Sequence, residues 1–189
     1  MIVFDSDDFG ANHIISDQCQ SHDCRDQLDK LHYANNNFKV TLFAIPAEMT
    51  YELAEWCKAN SQWVELAVHG IFHSSNYECD KMTYDQFDNY MKDLEIMIED
   101  YFVKGFKAPG WQISDDIYRW LLDNHWWVAD QAYNDSRRPQ GIPVYKVGEN
   151  SIHTHTWNCV GNGIYEIYDQ IVDQIKDEAE FRFVSEVVS

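Results

Sequence analysis

An aspartate-rich run near the start of the sequence is the first candidate for chemistry. Residues 5–10 read DSDDFG, so that Asp5, Asp7 and Asp8 lie within four positions, directly after an apolar run. Three carboxylates this close repel one another unless a cation or hydrogen bonds intervene. A polar loop or a helix N-terminus would also explain the run, but its position directly after an apolar strand in the sequence favours a functional site.

A histidine pair at residues 69–73 is the second candidate. The segment reads HGIFH, and imidazoles four residues apart face the same side of a helical turn. This spacing also occurs in unrelated surface pairs. Joined with an aspartate at a strand end, His69 and His73 give the two-histidine, one-carboxylate set that holds a catalytic divalent metal. Such a metal makes a hydroxide-like nucleophile from water near neutral pH.

Two later motifs add a positive charge and a proton donor. Residues 106–111 read FKAPGW, where Lys107 at a strand end can face the aspartates; a solvated lysine before an ordinary turn is the alternative. Residues 152–157 read IHTHTW, and on a strand His153 and His155 point to one face. Either can act as a general acid near pH 7, although hydrogen-bonded histidines on a half-buried strand would give the same pattern.

Apolar segments of strand type and helix type alternate along the chain, and these elements must position the motifs. The predicted strands are Met1–Phe4, Phe38–Ile45, Trp63–Val68, Phe106–Ala108, Trp126–Ala129, Val144–Val147, Ile152–Thr156 and Phe181–Val188. The predicted helices are Asp26–Asn35, Tyr51–Ala59, a long helix that follows Thr83 and includes Tyr101, Asp115–Asn124 and Ile164–Ala179. This alternation predicts an α/β protein with a mainly parallel sheet, either an incomplete barrel or an open doubly wound sheet. Residues 1–189 show no linker or repeat and are predicted to form one domain.

Local signals predict several helix ends. Thr83 and Gln86 match a capping box at the start of the long helix, and Gly105 is predicted to end that helix as a C-cap. Ser114 is predicted to cap the following helix. In parallel α/β folds functional residues gather where strands end, which is where the four motifs lie.

Composition narrows the classes of protein that the sequence fits. With 14 basic and 32 acidic residues the net charge is −18, which disfavours binding to nucleic acid or an anionic membrane. No apolar run approaches the roughly 20 residues of a membrane span. The start shows no secretory signal, so a cytoplasmic location is predicted. The five cysteines contain no CxxC motif and are predicted to be ordinary thiols; Cys19, His22 and Cys24 are interpreted as an exposed helix face rather than a metal site.

The order of the motifs resembles the polysaccharide deacetylases, the NodB-homology group or carbohydrate esterase family four. An Asp-Asp motif after strand one, HxxxH, a basic residue before Pro-Gly, a tryptophan and aspartate region and a late histidine span Asp7 to His155. The resemblance implies a distorted, incomplete (β/α) barrel of about seven strands. It also implies a metal-dependent deacetylase of an N-acetylated sugar or polysaccharide, with one divalent ion, usually Zn²⁺.

The resemblance also assigns roles to residues of this chain. Asp7 matches the catalytic base, and Lys107 stands where an arginine usually orients that base. The other matches are Asp8, His69 and His73 as metal ligands, His153 or His155 as the general acid, and Asp130 as the aspartate beside that acid. Apart from the resemblance, Pro109, Gly110, Trp111 and Trp127 are candidates for substrate binding. The tryptophan rings suit stacking on sugar rings, although positions in the core would explain them equally.

Three departures from the family pattern bear on these assignments. Phe9 is inserted before the glycine of the first motif, Gly70 replaces a serine or threonine, and Lys107 keeps the charge of arginine without its bidentate fork. The alternatives are a hydrolase of a non-sugar amide on the same fold and a catalytically degenerate carbohydrate-binding protein. An iron(II) oxygenase is disfavoured, because its motif order and antiparallel fold differ.

Overall fold

Eight parallel strands form the main sheet of the computed structural model, which describes residues 1–11, 14–16, 19–20, 23–148, 151–158, 161 and 163–188. In chain order the strands are β1 Ile2–Phe9, β2 Ile14–Ser16, β3 Cys19–Gln20, β4 Val40–Ala44, β5 Val64–His69, β6 Gly105–Lys107, β7 Trp127–Asp130, β8 Val144–Lys146, β9 Ser151–His155 and β10 Phe181–Arg182. The main sheet runs β10-β1-β4-β5-β6-β7-β8, and β9 also pairs with β1, whereas β2 and β3 form a separate antiparallel pair. The described residues show no pairing between β8 and β9, so the barrel is open there, as predicted.

Six helices follow the strands: α1 Arg25–Ala34, α2 Tyr51–Ala59, α3 Tyr84–Asp93, α4 Glu95–Tyr101, α5 Asp115–Asp123 and α6 Tyr168–Ile175. The strands alternate between two buried faces, as the two-residue period of a strand requires. On β4, Leu42 and Ala44 pack in an outer cluster with residues of α1, α2 and α6, whereas Phe43 points the other way and packs with Ala67 of β5. Residues of α3, α4 and α5 cover a second outer cluster with residues of β6 and β7.

The amino end of the barrel interior is closed by the segment after β10. Val184 donates its amide to Thr41 Oγ1 at 2.9 Å, and Thr41 donates its hydroxyl to Glu65 Oε1 at 2.9 Å. Ser185 donates both its amide and its hydroxyl to the same carboxylate. Burial raises the pKa of Glu65 above its ordinary value, although these donors act against the rise.

The helix starts at Thr83 and Ser114 agree with the sequence prediction, but other predicted boundaries are wrong. The last helix, α6, begins at Tyr168 rather than Ile164 and ends at Ile175 rather than Ala179. Thr83 and Gln86 form the predicted capping box, and Ser114 caps α5 through Ile117 N. The predicted long helix is instead divided at Leu94 into α3 and α4. Gly105 is not a helix cap but the first residue of β6, where a Cβ would lie 2.0 Å from the Trp127 ring.

The ends of the chain differ from the sequence prediction in the length of their elements. Strand β1 continues through the aspartate run to Phe9, and β10 spans only two residues before a 3-10 turn at Val184–Glu186. Cys24 is fully buried at the start of α1, so the predicted exposed position is wrong there; the side chains of Cys19, His22 and Cys159 lie outside the described part of the structure. None of the described helices is both long and apolar enough to cross a membrane.

Candidate metal and catalytic site

A bulge in β1 places two consecutive aspartates in one site. Before it the strand alternates, with Phe4 in an outer cluster and Val3 in the interior cluster. The pairing with β4 shifts register after Ser6, and Asp8 has a φ of 63°, in the left-handed region. A bulge of this kind re-aims a side chain. Asp7 and Asp8 therefore both reach the carboxyl end of the barrel, where they are buried.

Asp8 meets the two histidines of the HxxxH motif. Its Oδ1 lies 3.2 Å from His69 Nε2 and 3.1 Å from His73 Nε2. His69 Nδ1 lies 3.1 Å from the carbonyl oxygen of Lys107, which fixes the tautomer with a proton on Nδ1 and leaves Nε2 for a ligand. Burial raises the pKa of Asp8, but the two imidazoles outweigh it and hold the pKa well below its ordinary value.

The segment between the histidines is a turn rather than the predicted helical turn. His69 ends β5, Gly70 has a φ of 59° and His73 a φ of 49°. A Cβ at position 70 would lie 2.7 Å from Pro109 Cγ, so glycine is required by both its conformation and its packing. Left-handed non-glycine residues are strained and concentrate at functional sites. Of the four such residues in the described part of the chain, Asp8, His73 and Trp111 lie in this region, and His125 lies after α5.

Lys107 joins Asp7 to a second buried carboxylate. Its Nζ lies 2.6 Å from Asp7 Oδ1 and 3.5 Å from Asp5 Oδ1, between the rings of Phe43 and Trp111 at 4.6 and 4.4 Å from their centroids. Burial raises the pKa of Asp7, but the charges of Lys107 and nearby histidines outweigh it and lower the pKa to about 2. Asp7 is therefore ionised at neutral pH.

The two late histidines occupy different surroundings. His153 Nδ1 lies 2.6 Å from Asp5 Oδ1, and its Nε2 faces Asp7 Oδ2 at 3.8 Å. Tyr145 donates its hydroxyl to the other oxygen of Asp5 at 2.9 Å. His155 instead stacks on Trp157, with ring centroids 3.8 Å apart, and burial lowers its pKa below the ordinary value.

The donor atoms fit a divalent cation. Apart from the two imidazole Nε2 atoms that it faces, the buried Asp8 Oδ1 has no hydrogen-bond partner among the described residues. Among the described residues this cluster holds three buried carboxylates, Asp5, Asp7 and Asp8, and one ammonium, that of Lys107, which contacts Asp5 and Asp7. A cation held by Asp8 and the two imidazoles would satisfy the unpaired oxygen and offset the excess negative charge. Nitrogen and carboxylate ligands of this kind bind zinc.

Similarity to known proteins is structural. The amino-acid sequence matches no protein-family model and no curated protein. A family 4 acetyl xylan esterase from Clostridium thermocellum, in complex with a cobalt ion, superposes with a TM-score of 0.63 at 17% identity over 98% of this chain and 88% of that chain. A peptidoglycan N-acetylglucosamine deacetylase gives the same TM-score and identity over 98% of this chain and 86% of the other. The chain has the carbohydrate esterase family 4 fold.

The family 4 fold also occurs in proteins without activity. A family 4 pseudoenzyme from Bacillus anthracis is 13% identical to this chain, with a TM-score of 0.59 over 99% of this chain and 64% of its own. The fold predicted from the motif order, an incomplete barrel of about seven strands, is confirmed. The fold alone therefore does not establish activity, which depends on the residues of the site.

Two predicted site residues lie elsewhere in this family 4 fold. Asp130 is buried among Tyr118, Asn134 and Arg138, which bond its two oxygens, and Asp5 rather than Asp130 contacts a late histidine. Trp127 starts β7 at the amino end of the barrel and is only 7% exposed. Its ring packs against Phe43 and covers Gly105, so it presents no face to a substrate.

The remaining substrate candidates lie beside the cluster. Pro109 is buried against Gly70, Gly110 is exposed with a φ of 55°, and Trp111 is half-buried over Lys107 and 6.4 Å from the His153 ring. The Pro-Gly turn thus sets the position of the Trp111 ring at the mouth of the site.

Sequence reasoning missed three contributors to the site. Tyr145 and Trp157 bond the carboxylates of Asp5 and Asp8, and Glu78 bonds the turn that carries His73. The alternation of β1 does place Asp5 on the same face as Asp7, which is a signal that the sequence contains. The other partners come together only through the barrel.

Proposed function

We propose that this protein is a metal-dependent hydrolase that removes the acetyl group from an N-acetylated sugar or polysaccharide. The observation that carries the proposal is the convergence of Asp8, His69 and His73 beside Asp7, which Lys107 holds by an ion pair. Asp8, His69 and His73 are proposed to hold one divalent ion, most simply Zn²⁺. When bound, the ion supplies Lewis acidity, which polarises a carbonyl and lowers the pKa of water.

Asp7 is proposed as the general base. Lys107 occupies Asp7 Oδ1, so Oδ2 is the oxygen available to accept a proton from the attacking water. The ion pair fixes the carboxylate between the cation site and His153. Lys107 itself is held by a second carboxylate and two aromatic rings, so a lysine here supports the base without the fork of an arginine.

His153 is proposed as the general acid that gives a proton to the leaving amine nitrogen. Its Nδ1 is bound to Asp5 Oδ1, and its Nε2 faces Asp7, the proposed base, at 3.8 Å. Asp5 and Tyr145 form a buried support behind it. His155 is stacked on Trp157 and is proposed to shape the site rather than to transfer the proton.

The substrate is proposed to be a neutral acetylated sugar that contacts the half-buried ring of Trp111. Aromatic faces suit the apolar faces of sugar rings, and a chain with a net charge of −18 disfavours polyanionic substrates. Two structurally similar proteins are named for an acetylated xylan and for peptidoglycan N-acetylglucosamine, which supports this class.

Acetate release tests the proposal. Zinc-loaded protein would be given N-acetylglucosamine oligomers, acetylated xylan, peptidoglycan and small N-acetyl amides, with and without chelator. We expect chelator-sensitive acetate release from the N-acetylated sugars, and none from the Asp7→Asn variant.

Two other outcomes identify the alternatives. Faster turnover of small amides than of sugars would indicate a non-sugar amide hydrolase. Sugar binding without any acetate release would indicate a carbohydrate-binding protein with a degenerate site, the condition that the pseudoenzyme neighbour illustrates for this fold.

A further inference from the structure

Glu78 makes an unusual set of contacts to the turn that carries His73. Its Oε1 accepts the amides of Ile71 at 2.6 Å and Phe72 at 3.2 Å. Its Oε2 accepts the amide of Ser74 at 2.9 Å and the Ser74 hydroxyl at 3.4 Å. One carboxylate therefore binds three backbone amides, on both sides of His73 in the sequence.

Besides Glu78, the described contacts of this turn include the Ala47 amide at the Ile71 carbonyl, the Tyr90 ring against Phe72, and Asp8 at His73 Nε2. Phe72 and Ser74 are exposed, as are the residues at positions 75–77, and Ile71 is the buried anchor at its start. His73 has a φ of 49°, which costs free energy for a residue with a side chain. A strained residue on an exposed turn keeps its conformation only if surrounding contacts enforce it.

Gly70 has no side chain that could hydrogen-bond to the turn. A Cβ at this position would lie 2.7 Å from Pro109 Cγ and 3.1 Å from Glu78 Oε1, so no side chain fits there. A carboxylate from eight residues further along the chain supplies the hydrogen bonds instead. It is charged, and charge-assisted hydrogen bonds from amides to a carboxylate are stronger than neutral ones.

We propose that Glu78 is a positioning residue that holds His73 in the conformation needed to bind the cation. This inference rests on the cation site of the proposed function. His69 is independent of Glu78, because it lies on β5 and its Nδ1 is held by the Lys107 carbonyl. Loss of Glu78 therefore weakens one ligand of three and leaves the others in place.

Zinc affinity, measured by competition with a chromophoric chelator, tests the role of Glu78. We expect Glu78→Ala to weaken zinc binding by about 10–100-fold, the usual range for a residue that supports a ligand. Glu78→Gln retains one acceptor oxygen and should weaken binding less. The matched control is Glu99→Gln, an exposed glutamate on α4, which should bind zinc like the wild type.

Activity at saturating zinc separates positioning from ligation. Excess zinc should restore most of the turnover of Glu78→Ala, because all three ligands remain. It should not restore His73→Ala, which lacks a ligand. Equal failure of both variants at saturating zinc would overturn the positioning role, as would wild-type zinc affinity in Glu78→Ala.

Amide hydrogen exchange on the metal-free protein gives a readout that does not depend on zinc. We expect faster exchange at Ile71, Phe72 and Ser74 in Glu78→Ala and no change in Glu99→Gln. If the wild type binds no zinc while exchange still rises at these amides, the cation site of the proposed function is wrong and the turn is nevertheless held by Glu78. Unchanged exchange would overturn the contact itself.

Discussion

The two ends of the barrel interior both bury carboxylates, but with opposite effects on their protonation. At the carboxyl end, Asp7 and Asp8 face a lysine and several histidines, and their pKa values are lowered. At the amino end, Glu65 is bound by hydroxyl and amide donors, and burial raises its pKa. Burial is common to both ends, so the partners decide the direction in which each pKa moves.

The difference separates a binding site from a structural contact. The hydroxyl and amide donors around Glu65 bind its carboxylate without the help of a cation. Their hydrogen bonds tie the segment after β10 to β4 and β5. The carboxyl end instead holds aspartates with lowered pKa values and leaves Asp8 Oδ1 facing only two imidazole nitrogens among the described residues. An end that retains unbalanced charge is the one suited to capture a cation.

The largest expected effect is loss of the cation at the carboxyl end. Asp8→Asn removes the charged ligand while keeping a residue that tolerates a positive φ. We expect zinc affinity to fall by at least about 100-fold, beyond the usual effect of a supporting residue, and acetate release to disappear. Isothermal titration with zinc checks this. The matched change at the other end, Glu65→Gln, should leave zinc binding unchanged, and equal losses in both variants would contradict the comparison.

Asp7→Asn should keep the cation and lose the base. We expect turnover to fall by about 10²–10⁴-fold, the range for removal of a general base. Zinc stoichiometry, measured by elemental analysis of purified protein, should stay at the wild-type value. A variant that loses zinc instead would mean that Asp7 and Asp8 exchange the roles proposed for them.

The late histidines should differ in their effect on turnover. His153→Gln is expected to lower kcat by about 10²-fold or more, since it removes the proposed acid. His155→Gln should have a smaller effect, because that ring packs on Trp157, whereas His153 is bound to Asp5. Steady-state kinetics on one N-acetylated oligomer compares the two variants. A larger loss in His155→Gln would assign the proton donor to His155.

The smallest expected effect concerns the pH dependence of stability at the amino end. Because the pKa of Glu65 is raised on folding, its contribution to the free energy of unfolding is fully present below its unfolded pKa and is lost as pH rises through the folded pKa. Glu65→Gln cannot titrate. Urea unfolding of metal-free protein between pH 4 and 7 should therefore show a smaller loss of stability with rising pH in the variant than in the wild type. If stability changes with pH in the same way in the variant and the wild type, the pKa of Glu65 is not raised on folding.

Local sequence signals accounted for much of the fold. Thr83 with Gln86, and Ser114, start helices where predicted because capping depends on residues a few positions apart. The alternation of strands and helices predicted a mainly parallel sheet, and the family resemblance selected the incomplete barrel over an open sheet. Asp8 and His69 lie together because the carboxyl ends of the parallel strands β1 and β5, which are separated by β4, gather at one end of the barrel.

Contacts between distant residues account for what the sequence could not indicate. A glycine such as Gly105 after a helical pattern is typical of a helix end. Its place in β6 is explained by the Trp127 ring, which packs against it and leaves no room for a side chain. Asp130 and Asp5 were both available partners for a late histidine. The parallel register of β9 on β1, which pairs Asp5 with His153, decides between them and is not written in any local pattern.

That register has a consequence for how the site assembles during folding. The cation ligands come from β1, β5 and the turn after it, whereas His153 reaches Asp5 across 148 residues of chain. Closing a longer loop costs more conformational entropy, so contacts of long sequence separation tend to form late. The capacity to hold a cation should therefore precede the capacity to donate a proton. Zinc binding would report an early stage of folding, and turnover only its completion.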